Sequence, residues 1–197
     1  MFNFYIHNLR AIACVLVVLG HVLSVVEFDS SSWGAQLFRF NQNATVLFVV
    51  VAGYFFSMFL DKYKFKDYLI NKFFNVINPY LFISIPAVLL YVLKIKTEHA
   101  WIDMQWFYED LNVITETLYL YSFGAQLGPL WFIPMIFIFY CMFHFFKFIN
   151  NNCLVSAFVA FLIVAVYIGR SELNQNIIHN VFYMMPAYIF GMWLFKE

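Results

Sequence analysis

The chain has 197 residues, of which 64% are hydrophobic, 23% aromatic and only 11% charged. A water-soluble globular domain carries about 25% charged residues, so this composition excludes one and points to a protein whose solvent is lipid. Eleven basic residues balance eleven acidic ones, and no basic patch interleaved with aromatics is present, so nucleic acid is not an expected partner. Alternating polar and apolar positions, the mark of an outer-membrane barrel, are missing. The expected fold class is all-α: a polytopic transmembrane helical bundle of six or seven spans, forming a single membrane-embedded domain over residues 1–197.

A membrane span needs about 20 mainly apolar residues. Leu9 to Phe28 is the first such stretch and is read as an uncleaved span, because no small-residue cleavage site follows it. Ala44 to Leu60 is the second. Phe73 to Leu93 is the third, with Pro79 near its start and Pro86 in its middle, where a kink is expected. Leu111 to Leu127 is weaker; it contains Glu116 and Gln126 and reads either as a seventh span or as an interfacial helix. Pro129 to Phe148 is the fourth strong span, with Pro129 placed as a first-turn proline. Leu154 to Ile168 is a shorter fifth, and Ile177 to Phe195 a sixth carrying Pro186. Glu27–Asn43 and Lys94–Asp110 read as loops.

Short basic loops stay on the cytoplasmic side of a cell membrane. Lys62, Lys64, Lys66 and Lys72 make the loop after the second span the most basic. It and the N-terminus are therefore expected in the cytoplasm, with Lys94–Asp110 outside, where Trp101, Trp106, Phe107 and Tyr108 form an interfacial belt. Cys14, Cys141 and Cys153 read as small membrane-buried hydrophobes, and no cysteine–histidine spacing suggests a metal. His7, His99, His144 and His179 are scattered and read as structural, Trp131 and Tyr80 as belt or packing aromatics, and Glu116 as an exposed interfacial residue rather than an acid assisting His21.

Arg10 and His21 stand apart from these. Eleven residues is three helical turns plus about 20°, so both side chains leave one face of the first span, about 16 Å apart along its axis. Ionisable groups in a span are costly unless they face protein or a watery cavity, which makes the pair a candidate functional centre. An imidazole with a pKa near neutrality can take a proton from a hydroxyl as it attacks. It can also carry an acyl group itself. A guanidinium fork suits phosphate or carboxylate. Gly20 beside His21 would let a neighbour approach closely. No nucleophile elbow, P-loop or dinucleotide fingerprint occurs.

Several stretches in order resemble the membrane acyltransferase-3 family. They are the Arg10-to-His21 face of the first span, Phe48 to Phe55 at the end of the second, and the basic entry Asn71 to Tyr80. Gly128-Pro129-Leu130-Trp131-Phe132-Ile133-Pro134 and Met185 to Met192 complete the set. The resemblance implies an O-acyltransferase that moves an acetyl or short acyl group from acetyl-CoA (an acyl-CoA co-substrate) to a hydroxyl of a surface or exported glycan. It makes His21 the base or relay, and Arg10 and Lys72 holders of the donor. Gly53 and Tyr54 join the donor-binding set, Gly53 through close packing where the second span ends and Tyr54 as a cavity-lining ring. No metal is implied. Two departures weaken donor binding: Asn75 stands where the family has a second arginine, and Ala52 where it has serine. Family members are longer, so the chain reads as an N-terminal part without the last spans. A transporter or flippase using the same polar path, or a silent truncated scaffold, are the alternative readings.

Overall fold

The computed structural model describes residues 4–26, 29, 32–41, 44–171 and 176–196. Among them all regular structure is helical: α1 (Phe4–Leu23), α2 (Trp33–Asn41), α3 (Thr45–Phe59), α4 (Phe65–Lys72), α5 (Asn78–Val92), α6 (Met104–Glu109), α7 (Val113–Phe123), α8 (Phe132–Cys141), α9 (Phe143–Asn152), α10 (Leu154–Ile168) and α11 (Ile177–Lys196). The chain divides into two units. The first comprises Met1–Asp61, Ile149–Leu162 and Met184–Glu197; the second comprises Lys62–Phe148 and Ile163–Tyr183.

Among the described residues four helical stretches are long and apolar enough to cross a membrane: Phe4–Leu23, Trp33–Phe59, Phe65–Val92 and Ile177–Lys196. Two bent pairs raise the count to six: Val113–Phe123 with Gly128–Cys141, bent by 73°, and Phe143–Asn152 with Leu154–Ile168, bent by 119°. By length and composition six is therefore the upper count among the described residues, and Leu111–Leu127 does not form a separate seventh. The 11 residues of α7 rise only about 16 Å, half the hydrocarbon thickness. The expected fourth span, Pro129–Phe148, is likewise divided, because the helix breaks at Met142 (φ −78°, ψ 20°). The Glu27–Asn43 loop lies partly outside the described residues, as do Phe28, Ser30 and Ser31. Its described part holds α2, which starts where Ser32 Oγ accepts from Ala35 N at 3.2 Å.

α5 runs through Pro86, where a kink is expected, without a break in the helix. The irregular turn is instead a π-helix at Phe73–Ile77, joining α4 to α5 just before Pro79. Proline lacks an N–H and collides with the carbonyl four residues back, and one wide turn accommodates both defects. Cys14 and Cys141 lie on the exposed surface and Cys153 is half-buried; all three are free thiols.

In the first unit, α3 and α11 meet without side chains between them. A Cβ on Gly53 would overlap the backbone carbonyl of Tyr188, and one on Gly191 would overlap that of Val50. Around this crossing Val49, Val50, Phe56, Met185, Tyr188, Ile189 and Met192 are buried. Ser57 Oγ donates to Asn150 Oδ1 at 3.1 Å, and Lys196 Nζ donates to the Asn150 carbonyl. Backbone cannot retreat as a flexible side chain can. Gly53→Ala and Gly191→Ala should each lower stability by about 1–3 kcal/mol, the usual cost of overpacking. Gly128→Ala, with nothing within 4 Å of its added carbon, and Gly20→Ala, at an ordinary 3.5 Å from the Asn41 carbonyl, should leave it unchanged. Thermal unfolding of the four variants in detergent measures this.

Candidate active site

In the first unit, α1 is seated by Ile6 and Ala13, both buried, with Leu9, Leu16, Val17, Gly20 and Leu23 half-buried on the same stripe. Arg10 and His21 share a flank of the helix roughly 90° from the centre of that stripe at about 100° per residue. Both side chains are exposed. The Arg10 guanidinium lies 6.0 Å from the centre of the Phe55 ring on α3, so it is held by a cation–π contact as α3 passes. The His21 carbonyl accepts from Ser24 Oγ at 2.7 Å, which closes the end of α1. Gly20 sits at ordinary contact distance from Asn41, so sterics there do not require a glycine.

Gly53 is explained by the α3–α11 crossing, which fills the space beside it with backbone. The close-packing part of its expected role holds, and no room for a donor remains on that side. Tyr54 is half-buried, edge-on to Phe55 at 5.9 Å and to Phe195 at 5.4 Å.

Lys72 belongs to the second unit, while Arg10, His21, Gly53 and Tyr54 belong to the first. The Lys72 ammonium is half-buried, 4.9 Å from the Tyr140 ring and 5.5 Å from that of Tyr68. Asn75 spends its amide within its own helix, donating to the Asn71 carbonyl at 2.8 Å and to the Asn71 side chain. Glu116, expected on the surface, is instead buried at 3% exposure.

The second unit also holds a cavity of about 360 Å³, lined chiefly by Lys96, His99, Trp101, Gln126, Gly128 and Trp131. Its walls are fixed by three local devices. Asn112 and Thr115 form a reciprocal capping box that starts α7, and Gly124, at φ 63°, ends it in the left-handed region that favours glycine. A Cβ on Gly124 would also meet the Leu130 carbonyl at 2.5 Å. Pro129 opens the 3₁₀ turn Gly128–Trp131 that leads into α8, as its first-turn reading required. Behind the turn, Val88, Tyr91, Ile102, Phe107, Leu120 and Ala125 form an apolar cluster. Phe107, read as an interfacial belt residue, is fully buried in it.

His99 ties the Lys94–Asp103 segment to this turn. Its Nε2 lies 2.8 Å from the Ala125 carbonyl, which can only accept, so Nε2 carries the hydrogen. Its Nδ1 accepts from the backbone N–H groups of Trp101 and Ile102 at 3.2 and 3.1 Å. The ring is therefore neutral and fully used, as a structural histidine should be. Burial lowers its pKa; the Ala125 hydrogen bond opposes that, and the Lys96 charge adds to it.

Below it lies a network that sequence inspection missed. Tyr80 Oη donates to the Tyr121 carbonyl at 2.7 Å, and Tyr121 Oη donates to the Leu81 carbonyl at 3.0 Å. Gln126 Nε2 donates to Tyr80 Oη at 3.1 Å and to Ser84 Oγ at 2.9 Å. Tyr80 spends its only hydrogen on a carbonyl, so it must accept from Gln126, and this fixes which way the amide faces. Gln126 Oε1 is left buried with no hydrogen-bond partner among the described residues. The one available signal was a glutamine in an apolar stretch between Gly124 and Gly128.

The profile of a family described as an acyltransferase domain matches residues 3–196. The chain belongs to the acyltransferase-3 family. It is a multi-pass membrane protein of acyltransferase type, and the match spans both units. No curated protein and no solved structure matches it. Membership agrees with the ordered motifs from Arg10 to Met192, which lie within the matched residues.

In this acyltransferase the His99 tie makes the cavity wall sensitive to acid. The unfolded ring titrates near 6.5 and the folded ring lower. Between those two values the unfolded chain binds the proton and the fold does not, so stability there rises with pH. The His99 contribution is complete above pH 6.5 and is lost as pH falls towards the folded value. Proteolysis within residues 94–103 should accelerate as pH drops from 7 to 5 in the wild type (roughly the range in which histidine titrates), and should lose most of that dependence in His99→Gln.

Proposed function

We propose that this protein transfers an acetyl or short acyl group from a CoA thioester to a hydroxyl of a surface or exported glycan. Family membership carries the reading, supported by the placement of Arg10 and His21 on one flank of α1. A carbohydrate hydroxyl is a weak nucleophile at neutral pH. The His21 imidazole takes its proton as the oxygen attacks the thioester carbonyl. The resulting tetrahedral oxyanion collapses, the carbon–sulfur bond breaks, and imidazolium returns the proton to the departing thiolate. The products are an O-acyl ester and free CoA, so atoms and charge balance.

Arg10 serves the donor. Its delocalised fork can pair with a phosphate or carboxylate oxygen, and Phe55 limits the positions the side chain adopts. Lys72, held by Tyr68 and Tyr140, supplies a second cation of restricted mobility. The donor is cytosolic, and Lys62, Lys64, Lys66 and Lys72 favour the same side for the adjoining loop, with the N-terminus inside a cell membrane. Gly53 and Tyr54 act on this side as the packing that holds α3 in register with Arg10.

Membranes containing the protein, its glycan acceptor and labelled acetyl-CoA test the assignment. Removing a general base typically costs 10²–10⁴-fold, so His21→Ala should reduce label transfer at least about 100-fold. Arg10→Ala should raise KM for acetyl-CoA more than it lowers kcat, because it removes binding rather than chemistry. Undiminished acylation in His21→Ala rejects the mechanism.

A further inference from the structure

The helical stretch Phe65–Val92 has 28 residues. It rises about 42 Å, whereas the hydrocarbon core of a bilayer is about 30 Å thick. Phe73 to Leu93 is its largely apolar part and is long enough to fill that core unaided. The excess is α4, whose 8 residues include Lys66, Asp67 and Lys72 and whose N-cap is Lys64. α4 therefore stands at the level of the lipid headgroups, on the side that the lysine-rich loop favours.

A second basic element reaches the same level from far along the chain. The Phe65 ring lies 4.7 Å from the His144 ring and 5.6 Å from that of Phe143, and the Tyr68 ring lies 5.2 Å from Phe143. These contacts seat the first turns of α9 against α4. Phe143 and Phe146 are buried there, while His144, Phe145, Lys147 and Phe148 are exposed. At about 100° per residue, Lys147 and His144 leave neighbouring positions on α9, and Phe148 and Phe145 follow on the adjoining flank. Cations beside exposed aromatic rings suit a helix that lies in a membrane interface. α4 has the same make-up: Ile70 is exposed one turn beyond Lys66, and Phe73 and Phe74 are exposed after it.

Residues 61–72 hold four lysines against two aspartates, and α9 adds Lys147. The ammonium groups of Lys64, Lys66 and Lys147 are exposed and make no ion pair among the described residues. Lys72 differs from them, because it is turned in against Tyr68 and Tyr140.

We propose that the starts of α4 and α9 together form a binding site for an anionic phospholipid. Its phosphate headgroup meets Lys64, Lys66 and Lys147, and its acyl chains run along Ile70, Phe73 and Phe148. The surface makes two demands of a ligand: negative charge at headgroup level and apolar length beside it. Phosphatidylglycerol meets both. A zwitterionic lipid cancels the charge within its own headgroup. A free phosphate or a CoA brings the anion and leaves the exposed rings uncovered. The proposal is independent of acyl transfer, since it uses neither Arg10 nor His21.

The full chain in non-ionic detergent is titrated with phosphatidylglycerol and, separately, with phosphatidylcholine, and retained lipid is counted by native mass spectrometry. Each lysine beside an anionic headgroup should contribute about fivefold to binding. The wild type should therefore prefer phosphatidylglycerol by about tenfold or more, and the preference should shrink at high salt, which screens exposed charges. Lys64→Gln with Lys66→Gln should weaken phosphatidylglycerol about 25-fold, and Lys147→Gln about fivefold. Because the first pair of changes also weakens the loop's hold on topology, Lys64→Arg with Lys66→Arg preserves the charge and should bind as the wild type does. Lys147→Gln tests the site from outside that loop. Lys94→Gln, beyond the far end of α5, should leave retention unchanged. Equal retention of the two lipids, retention unaltered in Lys147→Gln, an equal loss in Lys94→Gln, or displacement of the lipid by acetyl-CoA overturns the site.

Discussion

Direct backbone contact between α3 and α11 is the constraint on which the first unit depends. In lipid, apolar side chains gain nothing by leaving one apolar surrounding for another, so helices associate through close van der Waals packing and polar pairing. Gly53 and Gly191 supply the first, each opposing the other helix's backbone. Ser57, Asn150 and Lys196 supply the second. The contact fixes α3, and α3 carries Phe55, the ring against which the Arg10 guanidinium rests. A donor-binding role for Arg10 therefore inherits its geometry from two glycines that touch no substrate.

The second unit is organised by satisfied polar groups instead. Tyr80, Ser84, Tyr121 and Gln126 close a network between α5 and the α7–α8 turn, and His99 ties the preceding segment to that turn. Each buried donor or acceptor left unpaired would cost about 1–3 kcal/mol, so the network specifies one arrangement where apolar packing alone would tolerate several. Gln126 Oε1 is the exception within it.

The helical class and the shared flank of Arg10 and His21 were legible, because each follows from local periodicity, while the sequence left the count open between six and seven spans. Pro129 was legible for the same reason: its fixed φ and missing N–H matter within one turn. What could not be read depends on partners distant in sequence. Nothing near Gly53 announces Gly191, and Gln126 finds Tyr80 and Ser84 more than forty residues upstream. Met142 breaks a continuous apolar run at an ordinary residue, where composition carries no signal. Nor did composition announce the π-turn at Phe73–Ile77, which precedes Pro79, while α5 continues through Pro86.

Glu116 shows how the two sets of polar residues differ. It is buried, with Oε2 unpartnered among the described residues, and the Lys94 charge acts on it. Arg10 and His21, by contrast, are exposed on the flank of an otherwise apolar helix. A cation exposed on an apolar surface is held there against its own solvation, and folding gains little from it. A buried amide in a closed network repays its desolvation through the hydrogen bonds it makes. Stability therefore accounts for Tyr80, Ser84 and the Gln126 amide nitrogen. It does not account for the Arg10–His21 flank, nor for the unpartnered Gln126 Oε1 and Glu116 Oε2.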